Sequence, residues 1–121
     1  MIVGVGTDVV ELARVKALSD RPAFLEEILT ASEIRHGPGG EEGEEHIAGL
    51  FAVKEALLKA LGIGLEEGAR WHEMEVREDG QVRLSGRLSE LARRRSVTAI
   101  HVSRATSAEK AIAIVVLEST T

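Results

Sequence analysis

The stretch GLFAVKEALLKALGIGL, residues 49–65, decides the fold because it predicts a long, largely buried helix that ends at Gly62 and Gly64. Its apolar side chains recur at helical spacing, and we predict that this helix runs over residues 45–61. Lys54 falls in the middle of the apolar stripe, where a charge is unexpected. Either its ammonium group reaches solvent along a flexible stem, or it pairs with a buried carboxylate.

Two further charges on this helix, Glu55 and Lys59, are four residues apart and share one face. One interpretation is a surface ion pair worth about 0.3–0.5 kcal/mol. The other is a ligand site, because Ala52, Ala56 and Ala60 form an adjacent ridge of small side chains that admits another backbone or a flat ligand. In that case Glu55 supplies a hard oxygen for Mg²⁺, and Lys59 supplies a positive charge for phosphate.

The composition favours a single domain, residues 1–121, and restricts its function. The chain carries 15 basic and 20 acidic residues, for a net charge of −5, which argues against general nucleic-acid binding. It has no cysteine for a disulfide or a thiolate metal site, and its four histidines show no close metal-ligand spacing. No apolar run approaches the roughly 20 residues of a membrane helix. The N-terminus lacks the features of a signal peptide, so we expect a cytoplasmic protein without membrane partners.

The remaining periodicity predicts an α+β fold with a mainly antiparallel sheet. Further helices are predicted at residues 9–18, 24–29 and 86–95. Strands are predicted at residues 2–5, 97–102 and 111–117, together with a hairpin that pairs residues 74–76 with residues 82–84. The last strand, AIAIVVL, is apolar on both faces and is expected at the centre of the sheet. The stretch RHGPGGEEGEEH, residues 35–46, is too rich in glycine and acid to build a core and is interpreted as a mobile loop.

Asp8 lies in the segment GVGTDVVE, where a strand is expected to end and a helix to begin. It suits a helix N-cap, and Glu11 three residues later resembles a capping box. It also suits a carboxylate that holds a cation at the mouth of the turn, and the two roles do not exclude each other. Arg14, Lys16 and Arg21 follow, either as a solvated face or as a small basic patch for an acidic partner.

Two motifs, GTDVVELARV (residues 6–15) and FAVKEALLKALGIG (residues 51–64), together resemble holo-acyl carrier protein synthase, the small bacterial type of 4′-phosphopantetheinyl transferase. The later stretches RLSG (residues 83–86) and HVSRATSAEKAIAIVVLE (residues 101–118) match in kind and order, so the resemblance covers nearly the whole chain. It implies a fold in which the sheet wraps around a long central helix. It also implies transfer of 4′-phosphopantetheine from coenzyme A to a serine of an acidic apo-acyl carrier protein, with release of 3′,5′-ADP, for fatty acid biosynthesis.

The resemblance also implies a catalytic set. Asp8 and Glu55 match the family's Mg²⁺ ligands, and Lys59 matches the lysine that contacts the phosphate of coenzyme A. Glu55, directly or through a metal-bound water, is the expected base for the attacking hydroxyl group. Gly62 and Gly64 match glycines that lie against the ligand.

The remaining implications concern partners. Ser103 and Arg104 are expected to complete the coenzyme A-binding set. Arg14 matches the arginine that docks the acidic carrier protein, and Lys16 and Arg21 are expected to assist it. The family forms homotrimers with each active site between two subunits, so we expect the same assembly here.

The sequence departs from the family pattern at the nucleotide end of the expected coenzyme A site. Leu50 stands where the family often has arginine, Thr106 where it often has histidine, and Ile63 where a threonine is usual. We hypothesise that Arg104, at a position that is often apolar, replaces some of the missing positive charge near the 3′-phosphate.

The same residues are also compatible with two other functions. The same cation site would serve a hydrolase that attacks a nucleotide pyrophosphate with water and needs no carrier protein. A catalytically silent, trimeric module for coenzyme A or a nucleotide would bind its ligand without turnover.

Overall fold

The computed structural model describes residues 1–64 and 68–120, and of residues 40 and 41 it gives the backbone. Its helices are α1 (Leu12–Ser19), α2 (Pro22–Ile28), α3 (Ala31–His36), α4 (Gly40–Leu61) and α5 (Gly86–Arg94). Its strands are β1 (Ile2–Glu11), β2 (Met74–Val76), β3 (Val82–Leu84), β4 (Ala99–Thr106) and β5 (Lys110–Glu118), and a short 3₁₀ turn spans Trp71–Glu73. Within these described ranges, no helix combines the length and the apolar character needed to cross a membrane.

The strands form two antiparallel groups. In the larger sheet β5 lies between β1 and β4, which confirms the central position that its apolar sequence predicted. The predicted hairpin is formed by β2 and β3. Its turn is closed by a 2.8 Å hydrogen bond from the Arg77 amide to the Gln81 carbonyl, and Gly80 adopts φ +85° there. The expected α+β fold, a mainly antiparallel sheet around a long helix, is confirmed.

Two glycines of β1 allow α4 to pack closely against the sheet. A Cβ atom at Gly4 would lie 2.3 Å from the carbonyl oxygen of Ala60, and a Cβ atom at Gly6 would lie 1.9 Å from that of Ala56. A side chain at either position would therefore push the strand and the helix apart. This part of the alanine ridge on α4 accommodates the backbone of β1.

The first strand is longer than predicted, and this changes the environment of Asp8. β1 continues to Glu11, and Asp8 pairs with Ala113 in the middle of the ladder with β5. Helix α1 begins at Leu12, and among the described residues no side chain caps it. The prediction that Asp8 caps a helix was wrong. Helical spacing was the only signal for a helix at residues 9–11, and their backbone hydrogen bonds are instead made with β5.

The stretch of residues 35–46 does not form the mobile loop that its composition suggested. Most of it belongs to α3 and α4, and residues 37–39 connect the two helices. The prediction was wrong because glycine costs a helix only about 1 kcal/mol, and α4, which is largely buried over residues 47–61, extends back through residues 40–46 at little further cost. Gly43 is even required, since a Cβ atom there would lie 2.5 Å from the carbonyl oxygen of Pro38.

The face of the sheet that points away from α4 is apolar and exposed in the single chain. Val5, Val9, Ile112 and Ile114 lie on it and are between 43% and 56% exposed. The strand register pairs Val9 with Ile112 and places Ile114 opposite Thr7, so Val9, Ile112 and Ile114 are neighbours and Val5 lies further along the same face. We call these four residues the outer sheet face.

Candidate active site

Asp8 faces α4 from the middle of β1 and is nearly buried, with 10% of its side chain exposed. Alternation along the strand turns it toward the helix together with Gly6 and Val10, which are both buried. Its Oδ1 accepts a 2.9 Å hydrogen bond from Nζ of Lys59. Its Oδ2 is buried and has no hydrogen-bond partner among the described residues. Buried carboxylate oxygens are normally hydrogen-bonded, so the missing partner of Oδ2 suggests that a ligand or an ion binds there.

Lys59 lies in the last turn of α4 and links the helix to β1. Its Nζ also donates to the carbonyl oxygen of Thr7 at 3.1 Å, and its side chain is 58% exposed. Among the described residues, Lys59 pairs with Asp8 rather than with Glu55, so of the two interpretations the surface Glu55–Lys59 ion pair was wrong. The hydrogen bond to Asp8 raises the pKa of Lys59, and the group therefore stays charged.

Glu55 brings a second carboxyl group to Asp8. Partial burial is the largest cause that raises the pKa of Glu55, from 4.5 to about 7, followed by a hydrogen bond that Glu55 can donate to Asp8 only when it is protonated, and by the negative charge of Asp8. The positive charges of Arg14 and Lys59 oppose this rise. Near neutral pH the carboxyl group of Glu55 is therefore only partly ionised, and a cation beside it would favour its charged form.

The residues present fit a magnesium ion. The unpaired Oδ2 of Asp8 and the neighbouring carboxyl of Glu55 are hard oxygen donors of the kind that Mg²⁺ prefers. Within residues 1–64 and 68–120, no group of three or more histidine, aspartate or glutamate side chains is arranged to hold a metal. A Mg²⁺ ion held by two carboxylates would complete its coordination with water and with phosphate oxygens of a ligand.

An apolar groove of about 360 Å³ opens beside these charged groups. Helix α4 stops at Gly62, whose left-handed φ of +72° lets its amide donate back to the carbonyls of Leu58 and Lys59. The groove is lined by Glu55, Leu58, Lys59, Gly62, Ile63, Gly64 and Trp71. Both glycines predicted to lie against a ligand therefore border the same space as Glu55 and Lys59.

Trp71 is a residue of this site that sequence analysis missed. Its ring stacks on Phe51, with centroids 5.3 Å apart and planes at 29°, and Phe51 is tilted against Phe24. The guanidinium group of Arg14 lies over the Phe51 ring at 5.3 Å. The only available signal was that the chain contains a single tryptophan. Its position before a hairpin did not indicate that it returns to the end of α4.

Arg14, Lys16 and Arg21 are exposed, but they point in different directions. Arg14 is close enough to Glu55 to lower the pKa of that carboxyl. Lys16 lies two positions after Arg14 and therefore on another side of α1, where its Nζ pairs with Oε2 of Glu44 at 3.6 Å. Arg21 precedes α2. Of the three predicted docking residues, Arg14 is the one that borders the candidate site.

Ser103 and Arg104 lie apart from Glu55 within a single chain. Ser103 is exposed on the side of the sheet that faces away from α4. Arg104 points to the other side and lines a second, polar cavity of about 630 Å³ with Leu50 and His46. Burial lowers the pKa of His46, and the charge of Arg104 lowers it further. Leu50 and Arg104, two of the positions that depart from the family pattern, thus meet in one cavity.

Lys54 is not among the residues that line either cavity. Its fully buried ammonium group lies 2.6 Å from Oε1 of Glu33. Of the two alternatives that the sequence left open, pairing with a buried carboxylate is confirmed. Burial lowers the pKa of Lys54, and the charge of Glu33 opposes that shift.

Known proteins share the sequence of this chain over almost its full length. The family model of the 4′-phosphopantetheinyl transferase superfamily matches residues 4–115. The holo-[acyl-carrier-protein] synthase of Serratia proteamaculans is 37% identical, across 97% of this chain and 98% of that protein. The protein of the same name from a Geobacter species is 39% identical, across 98% of this chain and 99% of that protein.

Solved structures share the fold. The holo-(acyl-carrier-protein) synthase of Bacillus anthracis, in complex with coenzyme A (3′,5′-ADP), has a TM-score of 0.81 at 36% identity and covers 99% of both chains. The Helicobacter pylori enzyme in complex with coenzyme A has a TM-score of 0.77 at 29% identity, across 94% of this chain and 99% of that one. These likenesses confirm the resemblance carried by the two motifs. The chain belongs to the 4′-phosphopantetheinyl transferase superfamily and, within it, to the holo-[acyl-carrier-protein] synthase family.

Proposed function

We propose that this protein transfers 4′-phosphopantetheine from coenzyme A to a serine of an apo-acyl carrier protein, for fatty acid biosynthesis. The observation that carries the proposal is the meeting of Asp8, Glu55 and Lys59 between β1 and α4, with one buried carboxylate oxygen unpaired. Relatives of nearly the same length bear the name of this activity. The proposal includes a cytoplasmic location, which suits a chain without cysteine.

The proposed cofactor is Mg²⁺, held by Asp8 and Glu55. Asp8 would offer Oδ2, because its Oδ1 already accepts from Lys59. When bound, such an ion neutralises charge on the pyrophosphate and makes the reacting phosphorus more electrophilic. Two carboxylates beside one lysine suit a ligand that brings its own phosphate oxygens.

The chain's own groups position the reactants and move one proton. An oxygen–phosphorus bond forms between the carrier serine and the phosphorus that bears pantetheine. The bond from that phosphorus to the bridging oxygen breaks, and its electron pair leaves with 3′,5′-ADP. Glu55 accepts the proton of the serine hydroxyl, because its carboxylate lies beside Asp8 and Lys59, where the phosphate is held. Lys59, charged and exposed beside Asp8, contacts the phosphate.

We also propose a homotrimer with sites shared between subunits. The outer sheet face exposes four large apolar side chains, and exposed apolar surfaces mark protein–protein contacts. Arg104 and Glu55 line different cavities of one chain. A site built from two subunits would let both residues contact the same coenzyme A molecule, as their predicted roles require. In that arrangement Arg104 of one subunit contacts the 3′-phosphate of a coenzyme A held by Asp8 and Glu55 of the next. Ser103, on the exposed side of the same sheet, would border this junction.

Intact-mass spectrometry of an apo-acyl carrier protein tests the reaction. The carrier is incubated with this protein, coenzyme A and Mg²⁺, beside Asp8→Asn and a metal-free sample. We expect a mass gain of one phosphopantetheine group that disappears in both. Asp20→Asn, an exposed position at the end of α1, is the matched control and should keep the gain.

Three outcomes would contradict the proposal. Loss of coenzyme A in the absence of carrier protein would indicate a hydrolase of the pyrophosphate. Binding of coenzyme A with no mass gain would indicate the silent binding module. A full mass gain with Asp8→Asn would remove Asp8 from the catalytic set.

A further inference from the structure

We propose that Phe51 is a positioning residue for the carrier protein: its ring holds the guanidinium group of Arg14 beside the candidate site, so that an acidic carrier meets a cation already in place. This inference rests on the proposed function and deepens it, because it gives a side chain of the core a part in recognising the second substrate. Phe51 acts through Arg14 and does not itself contact the carrier.

The contact between Arg14 and Phe51 joins an exposed cation to a buried ring. Cζ of Arg14 lies 5.3 Å from the ring centroid of Phe51, within the roughly 6 Å over which a cation–π interaction is effective. Arg14 is exposed on α1, whereas Phe51, on α4, is 4% exposed. The attraction therefore holds the guanidinium group against α4, although the stem of the arginine side chain is flexible.

The ring of Phe51 is itself fixed by two aromatic neighbours. Trp71 stacks on it, with centroids 5.3 Å apart and planes at 29°. Phe24 is tilted against it at 50°, with centroids 6.2 Å apart. Trp71 lies on the 3₁₀ turn and Phe24 on α2, so the ring is packed between α4 and two other elements. A cation held on a fixed ring loses little further conformational entropy when a partner binds it.

The ring holds Arg14 without neutralising it. Among the described residues, the guanidinium group of Arg14 donates no hydrogen bond and forms no ion pair. An aromatic face attracts the cation through its quadrupole and leaves the N–H donors free for a carboxylate. Lys16, on the same helix, is instead paired with Glu44. An acidic group of the carrier would have to compete with Glu44 for Lys16, but it can bind Arg14 directly through two parallel hydrogen bonds.

The guanidinium group is held next to the reacting groups. Phe51 precedes Glu55 by four residues on α4, so the two side chains project from the same face of the helix one turn apart. Arg14 lies close enough to Glu55 for its charge to lower the pKa of that carboxyl group. A carrier carboxylate bound to Arg14 therefore brings the rest of the carrier to the edge of the site in which its serine reacts.

A double-mutant cycle on the KM for the carrier protein tests the inference. The variants are Phe51→Leu, Arg14→Ala and the two together, each assayed for transfer with Mg²⁺ and saturating coenzyme A. We expect Phe51→Leu to raise the KM for the carrier about two- to five-fold, the size of an exposed cation–π contact, and to leave the KM for coenzyme A unchanged. In the Arg14→Ala background the same substitution should have no further effect.

Phe24→Leu is the matched control for the loss of an aromatic ring from this cluster. It keeps an apolar side chain against Phe51, and Phe24 forms no cation–π contact with Arg14 among the described residues. Its KM for the carrier should stay at the wild-type value. Phe51→Tyr keeps an aromatic face under the guanidinium group and should restore most of what Phe51→Leu loses.

NMR measures the contact without reference to activity. A proton over the face of an aromatic ring is shifted upfield, so the Nε–H resonance of Arg14, assigned by its absence in Arg14→Lys, should lie upfield of the other exposed arginines. It should move back in Phe51→Leu. Emission of Trp71, the single tryptophan, establishes that each variant is folded. If Phe51→Leu does not fold, the wild-type spectrum by itself decides whether the ring holds Arg14.

Two results would overturn the inference. One is a Phe51→Leu effect of the same size with and without Arg14, which would show that Phe51 acts only through the fold. The other is an Arg14 resonance at the position of a free arginine in the wild type. If the wild type modifies no carrier, the proposed function fails and this inference fails with it. If transfer proceeds while Phe51 and Arg14 are uncoupled, only this inference fails.

Discussion

Lys54 and Glu33 form a buried ion pair that joins four elements of the fold, with Nζ 2.6 Å from Oε1 and both side chains at most 1% exposed. Lys54, in α4, also donates to the carbonyl of Ile28 at the end of α2 (2.8 Å). Glu33 accepts from the amide of Thr30, which caps α3, and from the amide of Val76 in β2, both at 2.8 Å. Buried charges are tolerated when they are hydrogen-bonded in this way. Because Glu55 follows Lys54 directly, this network also sets the orientation of α4 at the candidate site.

Removal of one partner of this pair should be strongly destabilising. We expect Lys54→Met to lower the free energy of unfolding by about 3–5 kcal/mol, because it leaves the carboxylate of Glu33 buried without its counter-charge. The double variant Lys54→Met with Glu33→Gln should recover much of the loss, since no buried charge is left. Urea denaturation measures both. A single variant as stable as the wild type would contradict the importance of the pair.

Arg95 supports the end of α4 from outside the helix. Its guanidinium group donates to the carbonyl of Leu61 at 2.8 Å and contacts the carbonyl of Val3 in β1. Because these are charged hydrogen bonds to helix-terminal carbonyls, we expect Arg95→Ala to cost about 1.5–3 kcal/mol. Arg94→Ala is the control, since Arg94 forms an exposed pair with Glu90 worth about 0.5 kcal/mol. Thermal denaturation should rank the two variants in that order, and equal shifts in Tm would show that Arg95 has no special role.

The close approach of β1 and α4 makes Gly6 intolerant of a side chain. A Cβ atom there would lie 1.9 Å from the carbonyl oxygen of Ala56, so Gly6→Ala has to displace the strand that carries Asp8. We expect a loss of about 1–3 kcal/mol or more in stability, together with loss of transfer activity. At Gly39 a Cβ atom would meet none of the described atoms within 4 Å, so Gly39→Ala is the control. An active Gly6→Ala protein of normal stability would mean that the contact between β1 and α4 is looser than described.

The raised pKa of Glu55 should make the metal-free protein sensitive to pH. The pKa is 4.5 ordinarily and about 7 in the fold, so between these values the folded state binds more protons than the unfolded state. The free energy of unfolding therefore falls as pH rises from about 4.5 to about 7. Glu55→Gln cannot titrate and should flatten this part of the profile, whereas Glu27→Gln, at an exposed position of α2, should not.

Urea denaturation in the presence of a chelator measures these profiles. Added Mg²⁺ should stabilise the wild type more at higher pH, because ligand carboxyl groups must lose their protons. Identical profiles for the wild type and Glu55→Gln would refute the assignment of the shift to Glu55.

Arg14 should matter for docking of an acidic carrier protein. We expect Arg14→Ala to raise the KM for the carrier and the KM of the wild type to rise with salt, because exposed charges are screened beyond about 8–10 Å. The variant should show the weaker salt dependence. Arg93→Ala, at an exposed position of α5 outside the candidate site, is the control. A wild-type KM that is flat from low to high salt would exclude Arg14 as a docking residue.

Much of the fold was predictable because its signals are local. The apolar spacing and glycine stop of α4, the turn between β2 and β3, and the apolar run of β5 each lie within a short window of sequence. The errors lie at residues 9–11, where local spacing competed with pairing to β5, and at residues 35–46, where composition competed with extension of the buried helix α4. In both places the tertiary contacts outweighed the local preference.

By itself the sequence determined which residues are chemically able to form a site: Asp8, Glu55 and Lys59, with a glycine-rich turn after them. Only the tertiary structure decided which of them meet, pairing Lys59 with Asp8 and Lys54 with Glu33. These partners are 51 and 21 positions apart, and Trp71 reaches the same groove from beyond the end of α4. These contacts depend on how β1, α3 and the 3₁₀ turn pack against α4. Periodicity within one segment predicts its secondary structure but not its packing partners.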